Sequence, residues 1–594
     1  MKKLIKLISI WLLPITFIIL VIFSIRVFVS DFRFAHQTSM VYQWPFPWAK
    51  YFVTVSIKKF LAKTFNNQEM GLPRRYIYLS EQSEQKLLSS TPNSTKDWVG
   101  GYILNNSKKF QDIQIRYRGD NPANWLLEKK SIRIKTRKTQ LLGRKRYFEY
   151  FPLVVEKYIS AKIAEDMGVL ISKPKLIELY VNGQSDGIFI ENEKINENFL
   201  RRNLIMPVNL YKGENHNIEK FIGLDENLFN NPGIWKKLAI FNQEEEKNNS
   251  DLANFLSTMQ TSELSENFDS SLDGYIDLEN YAKLSAYTVI TQNDHNVGWL
   301  NMRLFLDPWN GYVNQVIVDP VMADNINGKF ALDFSTNDLT ALLYRSSEFN
   351  HAKYKSLLYF IKDEEVIKKN LKFIRDISED LKISLKRDPE MNSKKTLEEF
   401  KLYAQYLKSN EDNIMEQFNS RPNARWKKND NSFSIFINDK MPISNIKLSF
   451  PSDKPAWVSL DENYNGLVDK NELKFFPNKD NYIYIPITIY SNRIKVTNKK
   501  VHMHSQLDIE TVNTKFNFIT ENNSTPDKVI ALNPFSQKSF IMEKENINGV
   551  QKNKFNKIII NSESKNDNNY KLLSGNIRVN TDLVFDFPVK IMPG

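Results

Sequence analysis

Two short apolar runs joined by a turn restrict the fold of this sequence more than any other feature. Residues 302–306 and 312–318 are rich in β-prone side chains, and the segment between them reads Asp-Pro-Trp-Asn-Gly. This pattern predicts a β-hairpin. Because a hairpin folds back on itself, Asp319 at its end should return close to Asn301 and Asp294, although 25 positions separate it from Asp294.

Carboxylate and amide side chains in this arrangement suit phosphoryl transfer. That reaction needs an acceptor held in line, a carboxylate that takes or orients its proton, and oxygen ligands for Mg²⁺. Asp294 would be the carboxylate base, with Asn301 and Asp319 as metal ligands. The structural alternative is that Asp294 and Asn301 are turn or cap residues and that Asp319 simply ends a strand.

A second pair of strands is predicted earlier in the chain. Ile113, Ile115 and Tyr117 alternate with polar residues, and Ile132 and Ile134 do the same after a polar loop. The loop begins with Arg-Gly and ends with two lysines. A lysine on a strand beside a glycine-bearing turn commonly binds nucleotide phosphates. The alternative is that the alternating cations form a solvated face of the strand.

A helix and another hairpin follow. Apolar residues between Leu153 and Met167 recur at helical spacing, and a glycine comes next. The runs 176–181 and 188–190 flank an Asn-Gly pair, which predicts two strands joined by a tight turn. Glu193 comes at the end of this hairpin, where it could orient a phosphate-binding lysine or a metal. The alternative is that it is merely exposed.

Five segments of the chain occur in a recognisable order: RGDNPANW, KKSIRIK, ELYVNGQSDGIFIENEK, NDHNVGWLNMRLF and VIVDP. Together they span about residues 100 to 370 and resemble the CotH kinase family, the atypical protein kinases related to spore-coat CotH. The resemblance implies a protein-kinase-like domain. It also implies transfer of phosphate from ATP to Ser or Thr of protein partners with a divalent metal, Mg²⁺ or Mn²⁺.

The resemblance implies roles for individual residues as well. Asp294 matches the catalytic aspartate of the family, Asn301 the asparagine before the hairpin, and Asp319 the metal-binding aspartate. The positions implied on the nucleotide side are Arg118, Lys130 and Glu193.

Two positions depart from the family pattern. The family usually has Pro-Trp-Asp-x-Asp around the metal-binding aspartate, whereas here valine precedes Asp319 and proline follows it. The family's usual Arg-Gly-Asn reads Arg-Gly-Asp here, with Asp120 in place of the asparagine. These departures keep an alternative open, an inactive pseudokinase that still binds nucleotide. A second alternative is a cell-surface structural or adhesion protein.

The start of the chain predicts a membrane anchor. Residues 7–25 carry no charge, and 19 residues of helix rise about 28 Å, enough to cross the hydrocarbon layer. Three lysines precede this stretch, and no small-x-small cleavage pattern follows it. Segment 1–31 is therefore expected to remain as a single-pass transmembrane helix in the lipid bilayer, with the C-terminal domains extracytoplasmic.

Composition limits the remaining possibilities. The 594 residues include no cysteine, which excludes disulfides and thiolate metal sites. The net charge is +12, but the basic residues are spread along the chain. A membrane surface or phosphate ligands are therefore favoured over nucleic acid as the partner.

The last part of the chain predicts a β-sandwich. From about residue 430 the sequence consists of short alternating runs separated by polar turns. The predicted strands include Phe433–Ile437, Ile446–Phe450, Tyr482–Tyr490 and Lys557–Ile560.

The segment DENYNGLVDKNE within this region follows the twelve-residue calcium loop. Calcium needs several converging oxygens around a tight turn, which the alternate acidic or amide residues, the glycine and the final glutamate would supply. The alternative is an Asn/Asp-rich turn without metal. The flanking runs look like strands, so a lone structural ion is expected. The expected ligands are Asp461, Asn463, Asn465, Asp469 and Glu472.

The predicted architecture is α+β. It consists of the transmembrane anchor (1–31), a membrane-proximal segment (32–74), a CotH kinase-like domain (75–425) and a β-sandwich domain with a calcium-type loop (426–594).

Overall fold

The computed structural model describes residues 71–89, 97–104, 109–118, 124, 129–214, 227–241, 248–264, 272, 274–298, 300–322, 332–429, 432–451, 455–478, 482–496, 500–501, 504–505, 508–545, 570–573 and 577–580. The predicted anchor 1–31, most of segment 32–74, the strand predicted at 557–560, and Asp120 lie outside these ranges. Within them, no helix combines the length and the apolar character needed to span a membrane.

The chain divides into two compact units. The first comprises Met1–Lys162, Ser172–Leu204 and Lys372–Leu402, and the second comprises Ile163–Ile171, Ile205–Leu371 and Tyr403–Gly594. Helices and strands occur in both, which confirms the predicted α+β class. The boundary predicted at residue 425 falls inside the second unit and stays a prediction.

A closed barrel of seven strands forms the centre of the first unit, in the order β1-β2-β3-β4-β5-β7-β6. Strand β1 runs parallel to β6, and the other neighbours are antiparallel. The strands are β1 Arg74–Tyr78, β2 Val99–Leu104, β3 Phe110–Tyr117, β4 Ile132–Thr136, β5 Tyr147–Pro152, β6 Lys175–Val181 and β7 Gln184–Glu193. Helices α1 Glu81–Ser89 and α3 Glu197–Arg202 also belong to this unit, and α2 Val155–Asp166 lies in it as far as Lys162.

The barrel confirms the strand pattern that the sequence predicts. Ile115 and Ile134 lie opposite each other on β3 and β4 and are both buried in the barrel core. Between β6 and β7, Asn182 (φ 49) and Gly183 (φ 79) both have positive φ, as a two-residue hairpin turn of this hand requires. The second strand of that hairpin is longer than predicted, since β7 already starts at Gln184.

A buried carboxylate from a distant part of the chain completes this unit. Asp388 Oδ2 accepts hydrogen bonds from Lys129 Nζ at 2.6 Å and from the Ile188 amide at 2.7 Å. Asp388 Oδ1 accepts two further amide hydrogen bonds, from Glu390 and Met391. Gly187 (φ +88) packs against this carboxylate so closely that an added Cβ would overlap it.

Replacement of Gly187 by alanine should therefore destabilise the protein more than a positive φ alone explains. Gly183→Ala is the matched control, because Gly183 (φ +79) has nothing within 4 Å of an added Cβ. We expect the control to cost about 1–2 kcal/mol from left-handed backbone strain. Gly187→Ala should cost about 1–3 kcal/mol more because of overpacking. Urea unfolding of the full chain measures both, and equal losses would contradict the overlap with Asp388.

The second unit contains a four-stranded antiparallel sheet in the order β11-β10-β8-β9. The helices of this part of the chain include the two long helices that the sequence predicts near 361–383 and 396–418, each of which is divided between the two units, and Tyr359–Asp363 forms a separate π-helical segment. The strands are β8 Asn209–Gly213, β9 Lys236–Ala239, β10 Met302–Leu306 and β11 Val313–Gln315. The helices from this part of the chain onwards are α4 Ser250–Leu264, α5 Leu278–Thr291, α6 Asp338–Leu343, α7 Ser347–Leu358, α8 Val366–Arg387 and α9 Ser393–Asn419.

Two further sheets in this unit enclose one apolar core, as in a β-sandwich. Their orders are β16-β15-β22-β13-β12-β25 and β17-β14-β23-β24. Trp426, Ile435 and Ile446 are among the side chains buried between them. The strands are β12 Ala424–Lys428, β13 Ser432–Ile437, β14 Ile443–Ser449, β15 Val458–Asp461, β16 Lys474–Phe475, β17 Tyr482–Ile489, β18 Arg493–Val496, β19 Lys500–Val501, β20 His504–Ser505, β21 Asp508–Thr511, β22 Thr514–Thr520, β23 Lys528–Leu532, β24 Ser539–Ile541, β25 Glu543–Lys544, β26 Tyr570–Leu573 and β27 Ile577–Asn580.

A buried ionic cluster lies at Asp333. Its carboxylate forms ion pairs with Lys353 on α7 and, at 2.7 Å, with Arg493 on β18. Tyr354 donates a hydrogen bond to the same carboxylate at 2.8 Å. Burial alone would raise the pKa of Asp333, but Arg493 and Lys353 hold it well below its ordinary value. The segment that contains Asp333 is thus fixed both to α7 and to β18.

Candidate active site

Helix α5 leads directly into the polar loop that the sequence singles out. Asp277 caps the start of the helix by accepting a hydrogen bond from a backbone amide. At the other end Gln292 takes a left-handed conformation (φ 53), and its side chain donates to the Val289 carbonyl at 2.7 Å. The helix therefore ends at Thr291, and the loop 293–301 begins.

One buried side chain, Asn296, holds this loop together. Its Nδ2 donates to the Asn301 carbonyl at 2.9 Å and to the Val318 carbonyl at 3.2 Å. Its Oδ1 accepts from Asn293 Nδ2 at 2.8 Å. The backbone carbonyl of Asn296 accepts from Thr336 Oγ1 and Asn337 Nδ2. Asn296 therefore brings the residue before the hairpin next to the residue that precedes Asp319.

The predicted hairpin is confirmed, with a shorter second strand. Strands β10 and β11 pair antiparallel with Leu304 opposite Gln315. Ile317 leaves this ladder, and its amide donates to the Leu170 carbonyl at 3.0 Å. Because the chain changes partner there, the strand predicted to reach Val318 ends at Gln315.

Asn301 and Asp319 both take the left-handed backbone conformation, with φ values of 60 and 51. Such values are uncommon for residues with a side chain and cost free energy, so they mark positions that the surrounding contacts fix. The Asp319 carboxylate lies 3.2 Å from Nδ1 of His295. Both side chains stay accessible, at 32% and 25% exposure respectively.

The structure thus brings the predicted positions into one small region. Asn301 and the backbone next to Asp319 share the Asn296 side chain, and Asp294 is the chain neighbour of His295, which contacts Asp319. Convergence of all three side chains on one cation stays a prediction. Among the residues that the structure describes, no group of three or more His, Asp or Glu side chains is arranged to hold a metal ion.

Sequence reasoning missed the contributions of His295 and Asn296. Both lie in the run Asn-Asp-His-Asn, of which it selected only the aspartate. The available signal was the polar run itself, directly after an apolar helix. Nothing in it indicates that Asn293 and Asn296 are buried at 2% and 4% exposure.

On the barrel, the predicted nucleotide-side residue Arg118 pairs with a carboxylate that the sequence did not single out. Arg118 Nε lies 2.8 Å from Glu149 Oε2, and Arg133 pairs with the other oxygen of the same group. Burial alone would raise the pKa of Glu149, but Arg118 and Arg133 lower it to about 2. The ionised carboxylate therefore orients both guanidinium groups.

This lowered pKa predicts a loss of stability in acid. Glu149 contributes its full stabilisation above the ordinary value of 4.5 and loses it as the pH falls through about 2. A shift of this size corresponds to roughly 3 kcal/mol. Thermal unfolding of the full chain between pH 6 and pH 2 should show this loss, and Glu149→Gln should have a shallower pH dependence. Parallel curves for the two proteins would contradict it.

Lys130, the predicted phosphate-binding lysine, is partly buried. Its neighbour Lys129 takes the buried position, paired with Asp388 and 4.9 Å from the centre of the Phe189 ring. Of the two lysines, Lys129 thus has a structural role. The role of Lys130 stays a prediction.

Glu193 is buried rather than exposed, so the alternative of a solvated strand end is wrong. One of its oxygens lies 2.8 Å from the Arg202 guanidinium, and the other is buried with no hydrogen-bond partner among the residues that the structure describes. Burial raises the pKa of Glu193, against the opposing effect of Arg202 and Lys145. A buried oxygen without a donor fits the predicted role of orienting a cationic group or a metal.

The calcium-type loop has the tight turn that the motif requires, with Gly466 at φ +77. Asp461 accepts from the amides of Asn465 and Gly466 at 3.1 and 3.2 Å. Glu472 accepts from the amides of Glu462 and Asp469. The side chains of Asn463 and Asn465 both donate to the Asp469 carboxylate. The oxygens of this loop thus face inwards, and calcium binding stays a prediction.

Comparison with known proteins decides the family. The family model described as CotH kinase protein matches residues 115–418, just over half of the 594 residues. The chain belongs to the CotH kinase family. Membership indicates an atypical, protein-kinase-like function and, in general terms, the use of ATP and a divalent metal.

The other comparisons add little to this family assignment. One solved structure that matches is the complex of the Shewanella oneidensis MR-1 toxin–antitoxin system HipA, HipB with its operator DNA. It is 9% identical, and the match covers 57% of this chain and 71% of that chain with a TM-score of 0.21. That score is too low to establish a common fold. No curated protein matches the chain.

Proposed function

We propose that this CotH kinase protein is a membrane-anchored protein kinase that transfers phosphate from ATP to Ser or Thr of protein partners. The observation that carries the proposal is the Asn296 contact, which joins the loop 293–301 to the end of the hairpin. Phosphoryl transfer depends mainly on positioning and on charge stabilisation. A loop fixed by several buried hydrogen bonds meets the first of these needs.

Each predicted residue has a chemical task in this proposal. Asp294 would orient the acceptor hydroxyl and take its proton, and the carboxylate of Asp319 and the amide oxygen of Asn301 would hold the metal. Mg²⁺ or Mn²⁺, when bound, supplies positive charge to the phosphate oxygens. On the barrel, Arg118, Lys130 and Glu193 would serve the nucleotide, with Arg118 already oriented by Glu149.

Localisation is part of the proposal. The uncharged stretch 7–25 would anchor the chain in the lipid bilayer as a single-pass helix, with the C-terminal domains extracytoplasmic. The partner would be a protein substrate rather than nucleic acid. The β-sandwich strands would form a separate accessory domain at the C-terminus.

A second candidate function is nucleotide binding without turnover. The contact between His295 and the Asp319 carboxylate favours it, because a histidine at 3.2 Å competes with a metal for the same oxygen. The proline after Asp319 points in the same direction. A cell-surface structural role, carried by the β-sandwich and its loop, is the third candidate.

Incubation of the full chain with labelled ATP and Mg²⁺ or Mn²⁺ separates these candidates. Asp294→Asn should lower phosphate incorporation about 10² to 10⁴-fold, the usual contribution of a positioned acid–base group, and Asp319→Asn should also lower it strongly because it removes a charged metal ligand. Asp376→Asn, on the exposed side of α8, is the control and should leave incorporation unchanged. If the wild-type chain binds nucleotide tightly but incorporates no phosphate, the protein is a pseudokinase. If it neither binds nucleotide nor incorporates phosphate, the structural role is left.

For the calcium-type loop we propose one structural ion. Calcium should raise the melting temperature of the full chain, and Glu472→Gln should abolish that rise because it removes the only bidentate ligand of the motif. Glu462→Gln is the matched control, since Glu462 occupies position 2 of the loop, which supplies no ligand. An identical response of the two variants would show that the loop holds no calcium.

A further inference from the structure

A cationic groove lies on the outer surface of the barrel and takes no part in the proposed kinase chemistry. It has a volume of about 740 Å³ and crosses strands β2, β3 and β4. Its lining includes Ser80, Gly100, Gln114, Lys135, Arg137 and Arg146. On β3 the groove is lined by residues 112–114, whereas Arg118 lies just beyond the end of this strand and borders the nucleotide-side loop.

The groove carries an excess of positive charge. Among the described lining residues, Lys135, Arg137 and Arg146 contribute three cations and Asp112 contributes the only carboxylate, so their net charge is +2. Asp112 is already paired with Arg137. Neither Lys135 nor Arg146 forms an ion pair with any carboxylate that the structure describes.

More positive charge lies beside the groove. The guanidinium carbon of Arg116 lies 4.8 Å from the centre of the Trp98 ring, and Nζ of Lys135 lies 4.5 Å from it. Arg116 also stands directly opposite Arg133, but Arg133 is paired with Glu149, so the repulsion that matters for the groove is the one between Lys135 and its neighbours Arg116 and Arg146. Burial, together with Arg146 and Arg116, lowers the pKa of Lys135. A bound anion would relieve this repulsion.

The shape of the groove leaves room for such an anion. Gly100 lies opposite Gln114 on the floor, and a Cβ added at Gly100 would meet nothing within 4 Å. Lys135 lies on β4 and Arg137 follows directly after the last residue of that strand, and both line the groove. The barrel is closed, so a peptide ligand would find no free strand edge here. Recognition must therefore come from side-chain cations.

We propose that this groove binds a soluble ligand that carries phosphate groups, held by Lys135, Arg137 and Arg146. A net charge of +2 matches a phosphate dianion or two phosphodiester groups better than a single carboxylate. Arginine and lysine also match phosphate in a complementary manner, because the guanidinium fork donates two hydrogen bonds and the ammonium group acts as a point charge.

The test is calorimetric titration of the full chain with sodium tripolyphosphate in EDTA, which removes divalent metal from the kinase region. The double variant Lys135→Gln/Arg146→Gln should raise the Kd at least tenfold. Arg375→Gln/Lys386→Gln removes the same two charge types from the exposed surface of α8 and should leave the Kd unchanged. Raising the salt concentration should weaken wild-type binding, because the groove is open to solvent.

A second pair of variants keeps the cations in place. Gly100→Glu introduces a carboxylate on the floor of the groove and should abolish binding, whereas Gly100→Gln has nearly the same size and should retain most of it. Equal Kd values for wild type and both cation variants would overturn the proposal. So would binding to vesicles of anionic lipid with no binding of tripolyphosphate, since the ligand would then be a membrane surface.

Discussion

The side chain of Asn296 is the contact on which the candidate active site depends. It forms three hydrogen bonds at 4% exposure, and its own carbonyl accepts two more. Each such bond contributes only about 1 kcal/mol, but a buried group left without its partner costs about 1–3 kcal/mol. Loss of this one side chain would leave the carbonyls of Asn301 and Val318 without a donor, and the left-handed conformations beside them would lose their support.

Local pattern was sufficient to predict part of the secondary structure. The alternation of Ile113 with Ile115 and of Ile132 with Ile134 gave two strands of the barrel, and the Asn-Gly pair at 182–183 gave its tight turn. These features depend on residues close together in sequence. The closure of seven strands into a barrel did not follow, because the pairing of β1 with β6 joins positions about 100 residues apart.

The candidate site was predictable only in part for the same reason. Asp294, Asn301 and Asp319 could be selected because Asn301 and Asp319 flank a predicted hairpin, and the two ends of a hairpin lie close together. Glu149 and Asp388 could not, since a carboxylate on a strand or at a helix end looks solvated until its cationic partners are known. The burial of Lys129 was unpredictable in the same way, because its partner Asp388 lies 259 positions further along the chain.

That distance also has a consequence for synthesis. Lys129 lies shortly before strand β4 of the barrel, but Asp388, which neutralises it, leaves the ribosome 259 residues later. At ordinary rates of translation this interval is on the order of 10 to 50 s. Throughout it, the nascent barrel would contain an ammonium group with no counter-ion, next to the strand that carries Gly187. The barrel is therefore expected to complete its folding only after the segment around Asp388 has emerged, while the last third of the chain is still being translated.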